Sequence, residues 1–132
     1  MQNNSIQTQL VSALEKAYSP YSSVKVAAAV EYEVNGEQQV AYGVNVENVS
    51  YGLTVCAERS AISNAIMGGM THISAVHVMS NQAEAISPCG ACRQVLTEFM
   101  QSPSAPVTCV NESRDKTWSS TMGELLPNRF DL

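Results

Sequence analysis

"CAERSAISNAIMGGMTHISAVHVMSNQAEAISPCGACRQVLTEFMQ", from Cys56 to Gln101, is the stretch whose reading decides the fold. Its first part sets alanine, isoleucine and methionine at helical spacing and stops at Gly68 and Gly69, as a C-terminal cap does. "ISAVHVMS", Ile73 to Ser80, then reads as a buried strand, and "CGACRQVLTEFMQ" as a second helix ended by "SPSAP". "PVTCVN", from Pro106 to Asn111, is a further strand. Helix, strand, helix, strand in this order calls for an α/β fold with parallel strand pairs in the second half of the chain.

Upstream, "VKVAAAVEYEV" and "QQVAYGVNVEN" are two strand-like runs joined around Asn35 and Gly36, a pair suited to a tight hairpin turn because both residues adopt positive φ. An antiparallel hairpin therefore joins the parallel half in one mixed sheet. Before it, Ile6, Leu10, Val11, Leu14 and Ala17 recur at helical spacing, and "YSPYS" ends that helix because proline restricts the residue before it. "TMGELLP" forms a short closing helix. With no internal repeat, low-complexity tract or interdomain linker, residues 1–132 read as a single domain, as their number allows.

Composition narrows the function. Hydrophobic residues make up 45% of the chain and charged ones 14%, which leaves apolar surface for another subunit to cover. The net charge of -5, with Lys and Arg totalling 7, provides no basic stripe to neutralise phosphates, so nucleic acid is excluded as a partner. No run has the apolar length of a membrane span, and "MQNNSIQTQL" has neither the basic start nor the apolar core of a secretory signal. The expectation is a cytoplasmic protein. There Cys56, Cys89, Cys92 and Cys109 are metal-binding, catalytic or buried rather than disulfide-bonded.

Taken alone, Cys89 and Cys92 read equally as a redox pair, half of a structural zinc site or part of a catalytic one. Cys56 and Glu58 tip the balance. Cys56 opens one predicted helix and Cys89 the next, with Cys92 one turn further on, so the thiols sit where the helix dipole favours thiolates. In an open α/β sheet such helix starts cluster at the carboxyl edge of the strands, and three thiolates there suit Zn²⁺ with a fourth position open. Glu58 stands two residues after Cys56, placed to shuttle a proton from an acidified water to a leaving group. C-A-E followed by P-C-x-x-C is the arrangement of zinc deaminases with three cysteine ligands. Arg59 and Arg93, beside Glu58 and Cys92, are expected to hydrogen-bond the sulfurs and offset the net negative charge of three thiolates on Zn²⁺. His72, His77 and Cys109 read as structural, and Asn45 and Glu47, by themselves, as polar residues at a strand end.

"PYSSVKVAAAV", "GVNVENVSYGLTVCAERSAI", "SPCGACRQVL" and "ELLPNRF" together resemble the small homotetrameric zinc-dependent cytidine deaminases, in order and approximate spacing over nearly the whole chain. The resemblance implies a three-layer α/β/α sandwich around a five-stranded sheet, one Zn²⁺ per subunit, and hydrolysis of cytidine or deoxycytidine to the uracil nucleoside and ammonia in pyrimidine salvage. It makes Cys56, Cys89 and Cys92 the zinc ligands, Glu58 the proton shuttle, and Asn45 and Glu47 the ribose-hydroxyl binders. It also implies a homotetramer whose pockets are completed by neighbouring subunits, with Tyr51 and Phe130 reaching across. The chain departs from the family's P-Y-S-x-F-x-V-G-A-A at Val24 and Ala27. Loss of that phenylalanine removes stacking on the base of roughly 0.5–1.5 kcal/mol. This keeps open a related substrate, an aminopyrimidine nucleoside of the blasticidin S type. A structural zinc protein is the non-enzymatic alternative, and it requires a fourth protein ligand.

Overall fold

A computed structural model describes residues 2–100 and 102–132. Gln101, the last residue of the second predicted helix, lies outside the described residues. The elements run α1 (Gln2–Leu14), β1 (Val26–Val34), β2 (Glu37–Val44), a 3-10 turn (Tyr51–Leu53), α2 (Ala57–Met67), β3 (Ile73–Ser80), α3 (Gly90–Phe99), β4 (Pro106–Asn111), β5 (Thr117–Thr121) and α4 (Met122–Leu125). They build one five-stranded sheet in the order β2-β1-β3-β4-β5.

β1 pairs antiparallel with both β2 and β3, and β3 pairs parallel with β4. β2, β3 and β4 therefore point the same way, although only the last two are neighbours. Their carboxyl ends share one edge of the sheet, and α2 and α3 both start from it. The expectation of parallel pairs narrows to one, because β1 lies between β2 and β3. The hairpin turns at Asn35 and Gly36 with φ of 53° and 81°, so Val34 pairs with Glu37.

β5 is a strand that the sequence reading did not find. It is an edge strand, antiparallel to β4, with Thr117, Trp118 and Ser119 exposed. Without a buried face, its residues lack the apolar alternation that marks a strand. α1 ends at Leu14 rather than Ala17, its last turn tightening through Lys16 N to Ala13 O (2.8 Å) and Ala17 N to Leu14 O (3.2 Å).

Two cores flank the sheet and make three layers. On one side Ile6, Leu10 and Leu14, one stripe of α1, pack on Ala27, Ala29, Met79 and Val110. On the other, Ala57, Ala61 and Ala65 of α2 and Leu96 of α3 pack on Ala28, Val30, Val76, Val78 and Val107. The alanine stripe lets α2 lie close to β2. A Cβ built on Gly43 would stand 2.3 Å from Ala61 N and 2.7 Å from Ala57 O, so only glycine fits there.

Candidate zinc and catalytic site

β2 ends at Val44, and the chain makes an excursion before α2. Val46 and Val55 exchange both backbone hydrogen bonds at 2.9 Å, closing the loop between them and returning the chain at Cys56. Cys56 is the N-cap of α2 and Cys89 the N-cap of α3, and neither side chain makes a capping hydrogen bond. Ser, Thr, Asp or Asn ordinarily stands at an N-cap and bonds the free N–H groups of the first turn. Here both thiols are left free for something else.

The three sulfurs of Cys56, Cys89 and Cys92 lie within 4.8 Å of one another, and Cys56 Sγ is 4.0 Å from Cys89 Sγ. Tetrahedral Zn²⁺ with Zn–S of about 2.3 Å separates its sulfurs by about 3.8 Å, so the cluster fits the ion with little movement. Among the described residues no other group of His, Cys, Asp and Glu gathers in this way. Cys109 lies in the core of β4, outside the cluster, where burial pushes its thiol up to about 12. His77 is held by Glu31 at 2.6 Å, and His72 contacts Thr71. The fourth protein ligand that a structural zinc site needs is therefore missing from the cluster.

Electrostatics prime the thiols. Cys56 is drawn well below the usual thiol range, first by the hydrogen bond from Cys92 and then by those from Arg59 and Cys89. Cys92 is pushed up, first by that same bond and then by burial. Arg59 Nη2 donates to Cys56 Sγ at 3.5 Å and to Thr54 O at 3.1 Å. Arg93 does not follow the expectation for it. Its guanidinium donates to Pro88 O, Leu125 O and Ser87 Oγ, and none of these bonds goes to a sulfur.

Glu58, in the first turn of α2, is only 4% exposed. Burial raises its carboxyl above the usual range, and the charge on Cys56 adds to the rise. It lines a cleft of about 160 Å³ together with Cys56 and Cys89. Val26, Ala57, Val78 and Ile86 make the apolar part of this cleft, and Asn45, Thr54 and Ser87 the polar part. Of these, sequence reasoning missed Val26, Thr54, Ala57, Val78, Ile86 and Ser87. Thr54 and Ser87 stand two residues before Cys56 and Cys89, a signal the motifs did carry. A larger hollow of about 400 Å³ between α3 and the C-terminal segment holds no carboxylate, thiol or imidazole.

Asn45 borders the cleft, but its amide is already engaged with the first residue of β1 and with Val24 just before it. Val26 N donates to Oδ1 and Nδ2 donates to Val24 O, both at 2.9 Å. One N–H and one lone pair remain for a ligand. Glu47 accepts from Tyr21 N at 2.9 Å, from Ser22 N at 3.2 Å and from the Ser22 hydroxyl, and it does not line the cleft. Val24 does not line it either, whereas Val26 does. Tyr51 and Phe130 are 59% and 72% exposed and stay out of the cleft of their own chain.

Three free thiols on two helix starts, beside a buried carboxylate at the carboxyl edge of an α/β/α sheet, define a hydrolytic zinc site. The comparisons with known proteins agree. Residues 1–109 match the family described as cytidine and deoxycytidylate deaminase zinc-binding region. The chain is 40% identical to a cytidine deaminase of Sporosarcina psychrophila, over 89% of this chain and 83% of that one. It is 39% identical to one of Mycoplasma genitalium, over 92% and 90%. Among solved structures, a cytidine deaminase of Burkholderia pseudomallei superposes with a TM-score of 0.86 at 39% identity, over 98% of this chain and 100% of that one. The cytidine deaminase of Mycobacterium tuberculosis does so with a TM-score of 0.79 at 32% identity, over 100% and 99%. The chain belongs to the cytidine and deoxycytidylate deaminase family.

Proposed function

We propose that this protein hydrolyses the exocyclic amine of cytidine and deoxycytidine, with Cys56, Cys89 and Cys92 holding Zn²⁺ and Glu58 moving the protons. The observation that carries the reading is the placement of Glu58: a carboxylate raised by burial, in the same cleft as the thiol cluster. When bound, the metal supplies Lewis acidity that makes water reactive at neutral pH.

Glu58 takes a proton from the attacking water as the C4–O bond forms, and delivers it to N3 of the base. It then moves the second proton to the amino group, the C4–N bond breaks, and ammonia leaves with the uracil nucleoside as the other product. A raised carboxyl suits both directions of this transfer, since a shuttle works best near the ambient pH. Val26, Val78 and Ile86 exclude water from the face of the base, and Arg59 offsets the charge of the thiolates. Asn45 and Glu47 are proposed to hold the ribose hydroxyls, using the hydrogen-bonding capacity that their bonds to β1 and to the Tyr21–Ser22 turn leave free.

A cleft of about 160 Å³ is smaller than the roughly 300 Å³ at which small-molecule sites begin, which supports completion by other subunits. In the segment that leads from Asn45 to Cys56, both in the cleft, Val46, Val49, Tyr51 and Leu53 are exposed, and Tyr51 packs edge-on against exposed Tyr21. An apolar collar of this kind fits a homotetramer in which Tyr51 and Phe130 enter a neighbour's site. Among the described residues no helix is long and apolar enough to cross a membrane. A cytoplasmic place in pyrimidine salvage accords with a site that needs its cysteines reduced.

The test is ultraviolet absorbance change and ammonia release with cytidine, deoxycytidine and blasticidin S, using zinc-loaded protein beside Glu58→Gln. Turnover of cytidine that vanishes in the variant is the expected result. A protein that holds zinc and turns over only blasticidin S overturns the choice of substrate.

A further inference from the structure

The connection from β3 to α3 carries Cys89 at its end and Ile86 and Ser87 in the wall of the cleft. Among the described residues it pairs with no strand. Among the described residues, the only hydrogen bonds that Glu84 to Pro88 receive come from Arg93. Nε donates to Pro88 O at 2.8 Å and Nη2 to Ser87 Oγ at 3.0 Å, while Nη1 reaches across to Leu125 O at 3.0 Å. Leu125 ends α4, so its carbonyl belongs to a helix terminus and favours a cation. One guanidinium therefore grips the ligand-bearing loop with two donors and anchors itself with a third on the last carbonyl of α4. Only a planar fork of fixed geometry makes all three bonds at once.

We infer that Arg93 is the positioning residue of the site: it fixes Cys89 and the Ile86–Ser87 wall relative to α4, and its contribution to the metal is made through the main chain rather than by touching sulfur. The Cys89 side chain is exposed and caps nothing, whereas Cys92 is buried, so the position of the Cys89 sulfur follows its main chain, which is held by the first bond of α3, by buried Pro88 and by the Arg93 fork. The same bonds set the cleft wall, so zinc affinity and substrate binding depend on Arg93 together. α4 thereby becomes part of the site's scaffold although none of its residues lines the cleft. The inference rests on the zinc reading of the thiol cluster and not on the choice of substrate.

The experiment compares wild type with Arg93→Gln, Arg93→Lys and Ser87→Ala. Zinc affinity is read by chelator competition, the thiolate-to-metal charge-transfer bands by Co²⁺ substitution, and kcat and KM on cytidine with zinc in excess. Arg93→Gln is expected to weaken zinc about 10–100-fold, as loss of a supporting contact around a metal typically does. It should also alter the Co²⁺ bands and raise KM more than it lowers kcat. Arg93→Lys keeps the charge without the fork and should recover only part of the affinity, and Ser87→Ala should lose a few-fold. Full rescue by lysine would show that charge alone matters and overturn the inference. So would a lowered melting temperature with zinc affinity and Co²⁺ bands unchanged. If Arg93→Gln does not fold, unchanged zinc affinity in both Arg93→Lys and Ser87→Ala overturns it. Zinc-loaded wild type that fails on cytidine would remove the proposed substrate while leaving the metal readouts to decide this question.

Discussion

Cys56 and Cys89 begin two different helices, 33 residues apart in the chain, and their sulfurs stand 4.0 Å from each other. The sheet brings this about. β2 and β3 run in the same direction with β1 antiparallel between them, so both helices leave from one edge. The closed loop between Val46 and Val55 aims the first helix start, and Arg93 holds the second. Function at this edge thus depends on strand direction more than on any single contact.

Glu58→Gln keeps the volume and removes the proton acceptor. Its kcat should fall about 10²–10⁴-fold, the usual worth of a positioned acid–base group. Zinc content should stay at the wild-type level, because Glu58 lies outside the sulfur cluster. Metal analysis beside the ultraviolet assay checks both, and zinc lost along with activity would place Glu58 among the ligands.

Zinc binds the folded chain and stabilises it by mass action. With free zinc at about a hundred times its dissociation constant, the gain is about 2.7 kcal/mol, or roughly 10 °C in melting temperature for a domain of this size. Chelation should remove that increment in wild type. Cys89→Ser should abolish it, and Cys109→Ser should retain it, since Cys109 is sealed in the core. Differential scanning calorimetry with and without chelator separates these cases, and a Cys109→Ser variant without the increment would revive a four-ligand structural site.

Most of this architecture was legible in the residues, and the exceptions have physical causes. β3 and β4 match "ISAVHVMS" and "PVTCVN" from end to end, because buried strands leave continuous apolar runs. The thiols and Glu58 were legible because cysteine is rare in this chain and its spacing follows helix geometry. β5 was hidden by an exposed edge position with no buried face. The partners of Arg93 were hidden for another reason. Two of its three acceptors are backbone carbonyls, and one belongs to Leu125, far along the chain. Side-chain identity says nothing about which carbonyl a fold will bring near. For the same reason the sequence did not disclose that Asn45 and Glu47 already brace β1 and the Tyr21–Ser22 turn.

Gly43 is where α2 meets β2. Its φ is unremarkable for an ordinary residue, so the constraint is contact alone: an added Cβ would meet Ala61 N at 2.3 Å and Ala57 O at 2.7 Å. Both are backbone atoms, and relief requires α2 to move away from the sheet. Gly43→Ala should destabilise by at least the roughly 1–3 kcal/mol of an overpacked core. Because the displaced helix carries Cys56 and Glu58, zinc affinity and kcat should fall with it. Chemical denaturation and zinc titration on one preparation test the coupling, and loss of stability with an intact site would show that the helix start moves independently of its middle.

Glu47 connects pH to the loop beside the cleft. Its carboxyl lies below the usual 4.5, first because Ser22 donates its hydroxyl and then because the N–H groups of Tyr21 and Ser22 add theirs. A group whose folded value is depressed stabilises the fold above its unfolded value, and that stabilisation is lost as pH falls through the folded value. Wild type should therefore exceed Glu47→Gln in melting temperature at neutral pH, and the gap should close as acid protonates Glu47, with most of the change below pH 4.5. Thermal melts of the pair from neutral to acid pH measure it. A gap constant across that range would mean that the amide replaces the carboxylate in the turn, and that the Tyr21–Ser22 segment is held by packing instead of charge.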